Sequence, residues 1–188
     1  MARINGDSRN NRLNGTDGRD IIKGKGGHDR LKGKDGNDDL FGGTGRDKIY
    51  GGADDDDIRG GGGKDKMYGG AGDDTINGGP GDDYIDGGFG DDVLIGGPGA
   101  DILFFNNDAI SGNPADYSGF DTVFNFERVA GASGDQIQLE DADFGSWTAA
   151  EVMDNTVFTF TDVTFGVMAT VTVVAVTGMV MGDDWVIV

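Results

Sequence analysis

The chain has 188 residues, 37 of them Gly and none Cys, and carries a formal net charge of −19 with a pI near 4.1. The lack of Cys excludes disulfide staples and thiol chemistry. No run approaches the roughly 18 uninterrupted apolar residues of a membrane-spanning helix, and the acidic balance argues against nucleic acid as a partner.

Residues 1–14 read as a lead-in. They contain neither an apolar h-region nor a small-residue cleavage site, so they do not form a Sec signal peptide. Gly6 to Asn14 already keeps the nine-residue phase of the repeats that begin at Gly15, with Asn11 in an Asp slot and Leu13 in an aliphatic slot. Residues 1–50 hold 11 Lys or Arg against 8 Asp, whereas residues 51–188 hold 4 against 26 Asp or Glu. Such asymmetry can mark a polyanion-binding end.

From Gly15 to Phe104 the chain consists of ten consecutive nine-residue units, from GTDGRDIIK to GGPGADILF, without insertion or deletion. Position 1 is always Gly, position 6 always Asp, and position 8 always Ile, Leu or Met. Six residues rich in Gly and Asp turn readily, because Gly accepts positive φ at no steric cost. Positions 7 to 9 then have strand character, with position 8 pointing one way and its neighbours the other. A turn and a short strand make half a coil, so 18 residues close one full turn and alternate units stack about 4.8 Å apart as parallel strands. Two parallel sheets enclose Ile22, Leu31, Leu40, Ile49, Ile58, Met67, Ile76, Ile85, Leu94 and Leu103. The expected fold is all-β, a parallel β-roll (a right-handed β-solenoid) of about ten nonapeptide half-turns.

One aliphatic side chain per unit gives a thin core. At about 1.5–3 kcal/mol per buried side chain it does not offset about 1–2 kcal/mol of backbone entropy per ordered residue. Stacking also sets Asp20, Asp29, Asp38, Asp47, Asp56, Asp65, Asp74, Asp83, Asp92 and Asp101 in two columns of like charge. Ca2+ takes 6–8 oxygen ligands, carboxylates and backbone carbonyls among them, and Gly-rich turns expose carbonyls. Without such a cation the repeats would behave as a disordered acidic, Gly-rich linker.

The unit matches the pattern G-G-x-G-x-D-x-U-x, and the chain therefore resembles the RTX calcium-binding nonapeptide-repeat proteins of secreted bacterial origin. The resemblance implies ions held between turn n and turn n+2. Their ligands would be the ten position-6 Asp side chains and turn carbonyls near Gly42, Gly51, Gly60, Gly69, Gly78, Gly87 and Gly96. About eight Ca2+ would bind at affinities around 10⁻⁴–10⁻³ M, so that binding energy appears as folding energy outside the cell. Units 1 to 3 depart from the pattern with Thr16, Lys25 and Lys34 at the second Gly, and unit 5 with Asp54 at the fourth-position Gly. Pro80 and Pro98, at position 3, are expected to break no ladder bond.

The phase is lost after Phe105, and residues 105–188 read as a C-terminal β-rich cap. Phe104–Phe105, 121–126, 135–139, 157–160 and 167–176 have strand character. Ser146 to Met153, with Thr148 and Glu151 spaced as a capping box, reads as one or two helical turns. An antiparallel arrangement of these strands would close the open end of the roll. The region resembles the segment that follows the repeats in serralysin-type proteases and in R-modules of alginate epimerases. The tail Gly182 to Val188, acidic residues followed by apolar ones, resembles a type I secretion signal. That resemblance implies an extracellular protein whose partner in export is the type I apparatus.

No HExxH or GxSxG occurs, His28 occupies variable position 5 and reads as a solvated loop residue, and the acidic pairs fall in the calcium register. The chain therefore reads as non-catalytic. The outward positions of the even units hold Arg30, Lys32, Lys48, Tyr50, Lys66 and Tyr68, cations repeating beside aromatic rings. Two functions fit: a secreted, calcium-folded structural or surface-associated protein, or a calcium-dependent module for an anionic, alginate-like polysaccharide bound on that face.

Overall fold

A computed structural model describes residues 1–106, together with the backbone of strands within 120–174. Every regular element among the described residues is a strand. β1 (Arg3–Asn5), β2 (Arg12–Asn14), β3 (Ile21–Gly26), β4 (Arg30–Asp35), β5 (Asp39–Thr44) and β6 (Lys48–Ala53) begin the roll. β7 (Asp57–Gly62), β8 (Lys66–Ala71), β9 (Thr75–Asn77), β10 (Tyr84–Phe89), β11 (Val93–Ile95) and β12 (Ile102–Asn106) continue it. Odd strands stack in one sheet and even strands in the other, each pair parallel, so these strands make about six turns of a β-solenoid.

The register is set by the 18-residue spacing. Ile4, Ile22, Leu40, Ile58, Ile76 and Leu94 align across the odd sheet. Leu13, Leu31, Ile49, Met67, Ile85 and Leu103 align across the even sheet. From Ile22 onward these position-8 side chains are 0% exposed. Ile4 and Leu13, on the edge strands β1 and β2, are only half-buried.

Most strands run six residues rather than three. They continue through positions 1 to 3 of the following unit, where Gly43 aligns with Gly61 and Gly52 with Gly70. Ladder bonds are made by backbone groups, so a residue without a side chain serves as well as any other. β9 and β11 stop at three residues, and each is followed at position 3 by a proline, Pro80 or Pro98, with no N–H to extend the ladder. Their carbonyls still accept from the N–H of Gly63 and Gly81, both at 2.9 Å.

Beyond the repeats, β13 (Phe120–Phe124) and β14 (Gln136–Glu140) are not part of an antiparallel layer. β13 pairs parallel with β11 and β14 parallel with β12, so each sheet gains a further rung after the nine-residue phase is lost. Val123 aligns with Leu94 and Ile137 with Leu103. Antiparallel pairing is confined to β15 (Ser146–Val152), β16 (Asn155–Thr161) and β17 (Met168–Val174), and β17 joins β13 in parallel. The segment Ser146–Val152 is a strand, not the helix expected from its capping-box spacing. Its seven-residue register against β16, from Ser146 opposite Thr161 to Val152 opposite Asn155, overrides a weak local helix signal. Residues 182–188, the secretion-signal candidate, lie outside the described residues.

Candidate metal centre

Each turn delivers its position-6 Asp into the interior, and Asp20, Asp29, Asp38, Asp47, Asp56, Asp65, Asp74, Asp83, Asp92 and Asp101 are all at most 3% exposed. The backbone N–H of one such Asp donates to Oδ1 of the Asp two units later. Asp20 donates to Asp38 and Asp29 to Asp47 at 2.7 Å, and Asp38 to Asp56 and Asp47 to Asp65 at 2.8 Å. The same link, at 2.8 Å, joins Asp56 to Asp74, Asp65 to Asp83, Asp74 to Asp92 and Asp83 to Asp101. One oxygen of each carboxylate is thus consumed in stitching rung to rung.

The other oxygen is different. Oδ2 of Asp29, Asp38, Asp47, Asp56, Asp65, Asp74 and Asp83 is buried and receives no hydrogen bond. Each faces the carbonyl of a position-1 Gly two units later, so the pairs are Asp29–Gly42, Asp38–Gly51, Asp47–Gly60, Asp56–Gly69, Asp65–Gly78, Asp74–Gly87 and Asp83–Gly96. The space between them lies over the position-1 Gly of the Asp's own unit. A Cβ on Gly60, for example, would come within 2.7 Å of both Asp65 Oδ2 and the Gly78 carbonyl. Position 1 is Gly because a side chain there would fill this cradle.

A donorless carboxylate oxygen facing a carbonyl oxygen, such as that of Gly78 or Gly96, which already accepts the N–H of Gly61 or Gly79, is repelled unless a proton or a cation lies between them. Burial pushes the carboxyl of Asp47 up to about 6, those of Asp56, Asp83 and Asp92 to about 7, and that of Asp74 to about 8. Neighbouring carboxylates add to the rise, and the stitching N–H groups oppose it. Asp38 and Asp65 rise for the same first reason. Among the described residues no three His, Cys, Asp or Glu side chains converge, so each cradle is dominated by backbone carbonyl with a carboxylate supplying charge. That all-oxygen donor set fits a hard cation such as Ca2+ rather than a metal that prefers nitrogen or sulfur.

The substituted turns of units 2, 3 and 5 keep the left-handed backbone. Lys25, Lys34 and Asp54 take left-handed backbone at φ 85, 100 and 72, where other units carry Gly. Asp54 supports its own geometry, since its Oδ2 accepts the Gly36 N–H at 3.0 Å. Asp20 stands apart from the rest of the column: Thr16 donates its N–H at 2.6 Å and its hydroxyl at 2.9 Å to Oδ2. The Thr16 and Ala2 N–H groups hold the Asp20 carboxyl below the usual carboxylate range.

A second ladder, at position 5, is not apparent in the sequence. Asp55 Oδ1 accepts the Asp73 N–H and Asp73 Oδ1 accepts the Asp91 N–H, both at 2.9 Å. On the other side Asn10 accepts from His28, and His28 Nδ1 accepts from Arg46, both at 2.8 Å. His28 is exposed, as expected of a loop residue, but it also links two turns. Position-5 side chains accept from the later unit and position-6 side chains from the earlier one, so the two ladders run in opposite directions. Because position 5 holds Asn, His and Asp in some units and Arg, Lys or Ala in others, no sequence signature announces it.

The even sheet carries an aromatic column on its outer face. Tyr50 stacks on Tyr68 with centroids 5.1 Å apart and planes 13° apart, and Tyr84 and Phe104 follow at 5.8 and 5.7 Å. Arg30 and Lys32 lie over Tyr50 at 5.1 and 5.6 Å, and Lys48 lies 5.1 Å from Tyr50 and 5.2 Å from Tyr68. Lys66 lies 5.8 Å from the Tyr84 ring. The six residues expected on this face are therefore brought together, and Arg12 extends their cation column through its register with Arg30.

The family model of the RTX calcium-binding nonapeptide repeat (4 copies) matches residues 5–40, 32–67 and 68–103. No curated protein matches the sequence. Among solved structures, the chain is similar to the extracellular lipase LipA from Serratia marcescens, at 20% identity and a TM-score of 0.46. That alignment covers 87% of this chain but spans only 37% of the lipase.

Proposed function

The chain belongs to the RTX calcium-binding nonapeptide-repeat family, and from that premise we propose that it is a secreted, non-catalytic protein that folds as it binds extracellular Ca2+. The observation that carries this reading is the row of buried, donorless Oδ2 atoms facing Gly carbonyls from Asp29 to Asp83. Those carboxylates and the carbonyls of Gly42, Gly51, Gly60, Gly69, Gly78, Gly87 and Gly96 would hold the ions. Calcium would supply the positive charge that the acidic interior lacks.

Where free calcium is scarce, the columns repel and the repeats stay extended, in a form suited to a narrow export channel. Where calcium is abundant, the same columns become the scaffold. The acidic-apolar tail, Gly182 to Val188, supports type I export. A structural or surface-associated role accords with a sequence dominated by structural repeats and without HExxH or GxSxG. Far-UV circular dichroism of the whole chain in chelator and in millimolar calcium tests the reading. A gain of β signal on calcium addition is expected, and identical spectra would overturn it.

A second reading rests on the even-sheet face. A column of cations beside stacked rings offers charge for an anionic polysaccharide and flat surfaces for its sugar rings. Binding of calcium-loaded protein to alginate at low and high salt tests it, with a Lys48→Glu, Lys66→Glu variant that still folds as the comparison. Salt-sensitive binding lost in the variant supports the glycan module, and no binding by the unmodified chain removes it.

A further inference from the structure

The first two turns differ from the nine after them. In units 2 to 10 the backbone is left-handed at positions 2 and 4, from Lys25 and Gly27 through to Gly97 and Gly99. In unit 1 neither Thr16 nor Gly18 adopts that conformation, and in the lead-in unit neither Asp7 nor Arg9 does. With position 2 out of the left-handed region, its N–H points at the position-6 side chain of the same turn. Asp7 donates to Asn11 Oδ1 at 2.8 Å, and Thr16 donates to Asp20 Oδ2 at 2.6 Å.

For Asp20 this closes the site. A carboxylate oxygen has two lone-pair directions, and on Oδ2 they face the Thr16 N–H at 2.6 Å and the Thr16 hydroxyl, which is nearer to Oδ2 at 2.9 Å than to the Gly18 carbonyl at 3.2 Å. Oδ1 accepts the Ala2 N–H at 2.6 Å. The Gly33 carbonyl faces this carboxylate as its counterparts do in later units, but donor hydrogens stand where a cation would have to bind. In the lead-in unit the side chain is a neutral amide whose oxygen accepts the position-2 N–H in the same way. Alternate turns lie on opposite sides of the roll, so one such turn heads each column of cradles.

We infer that the lead-in turn and unit 1 are cation-free caps. The ion columns then begin at Asp29 on one side and at Asp38 on the other, and the N–H groups of Asp7 and Thr16 take the place of the missing ions. The inference rests on the calcium reading above and departs from one sequence expectation: Asp20 has the family's residue at the family's position, yet on this inference it holds no ion. Thr16, standing where the second Gly belongs, is the residue that decides this.

Native mass spectrometry of the calcium-saturated full chain counts the ions. Asp20→Asn keeps one acceptor oxygen, which can take the position-2 N–H as Asn11 Oδ1 does one unit earlier, and is expected to fold and bind as many ions as the unmodified chain. Asp38→Asn is expected to bind at least one fewer. Thr16→Gly restores the residue of units 4 to 10, removes the hydroxyl and allows the left-handed backbone that turns the position-2 N–H away from Oδ2, and is expected to bind one more. Loss of an ion in Asp20→Asn, or failure of that variant to fold in saturating calcium, overturns the inference. An unchanged count in Thr16→Gly overturns the role given to Thr16. An unmodified chain that binds no calcium fails the family-based reading instead, which keeps the two failures distinct.

Discussion

Asp56 donates its backbone N–H to Oδ1 of Asp74, 18 residues later, at 2.8 Å, while Oδ2 of that same carboxylate is buried without a donor. The two oxygens of Asp74 thus have separate tasks. One joins consecutive rungs through the backbone, and the other faces the Gly87 carbonyl across a cradle suited to a cation.

Asp74→Asn preserves the first task and removes the charge needed for the second. Loss of hydrogen-bond partners one shell away from a metal commonly lowers affinity about 10–100-fold, and loss of a direct charged ligand should cost at least ~10-fold. The expected outcome is a higher calcium midpoint in a circular dichroism titration and one fewer bound ion. An unchanged midpoint would remove Asp74 from the ligand set.

The metal-free roll should depend on pH in the sense opposite to ordinary acid denaturation. Asp47, Asp56, Asp74, Asp83 and Asp92 have folded-state values of about 6 to 8, against about 3.9 in an unfolded chain. Between these values the folded state holds more protons, so its stability is greatest below about pH 4 and is lost as pH rises toward about 8. In chelator, β structure is expected to increase as pH is lowered from about 8 to about 5. A flat or inverted profile would show that burial is not what opposes the metal-free fold.

Gly60→Ala places a methyl group between Asp65 Oδ2 and the Gly78 carbonyl, 2.7 Å from each. Overpacking of this kind costs about 1–3 kcal/mol, and here it also fills the cradle. The variant should be less stable in calcium and bind one ion fewer. Gly62→Ala, where a Cβ meets nothing within 4 Å, should be close to neutral. Equal effects from the two would refute a specific cradle at position 1.

Lys25 adopts φ 85 without a stabilising side-chain contact of the kind that Asp54 makes with Gly36. Left-handed backbone costs a non-Gly residue about 1–2 kcal/mol, partly offset by the extra unfolded-state entropy of Gly, about 0.5–1 kcal/mol. Lys25→Gly should therefore stabilise the calcium-loaded chain by about 0.5–1 kcal/mol, whereas Asp54→Gly should gain nothing. Thermal denaturation in saturating calcium compares them. A gain in Asp54→Gly equal to that in Lys25→Gly would mean that the Gly36 contact is without value.

The sequence alone determined the roll. Strict nine-residue spacing fixes which side chain lies inside, because one aliphatic residue per unit can be buried only if every unit presents it at the same point of the coil. It also located the Asp columns and the even-sheet cations, since an 18-residue period carries residues of one position into register. The tertiary structure decided what depends on contact between turns. Which carboxylate oxygen stitches and which remains open is set by the neighbouring rung, and whether Asp20 is open at all is set by the backbone conformation of Thr16. The same holds beyond the repeats: β13 and β14 extend the parallel sheets, and Ser146–Val152 pairs as a strand. Where periodicity ends, local propensity is too weak to choose a partner, and the edges of the preceding rungs choose it instead.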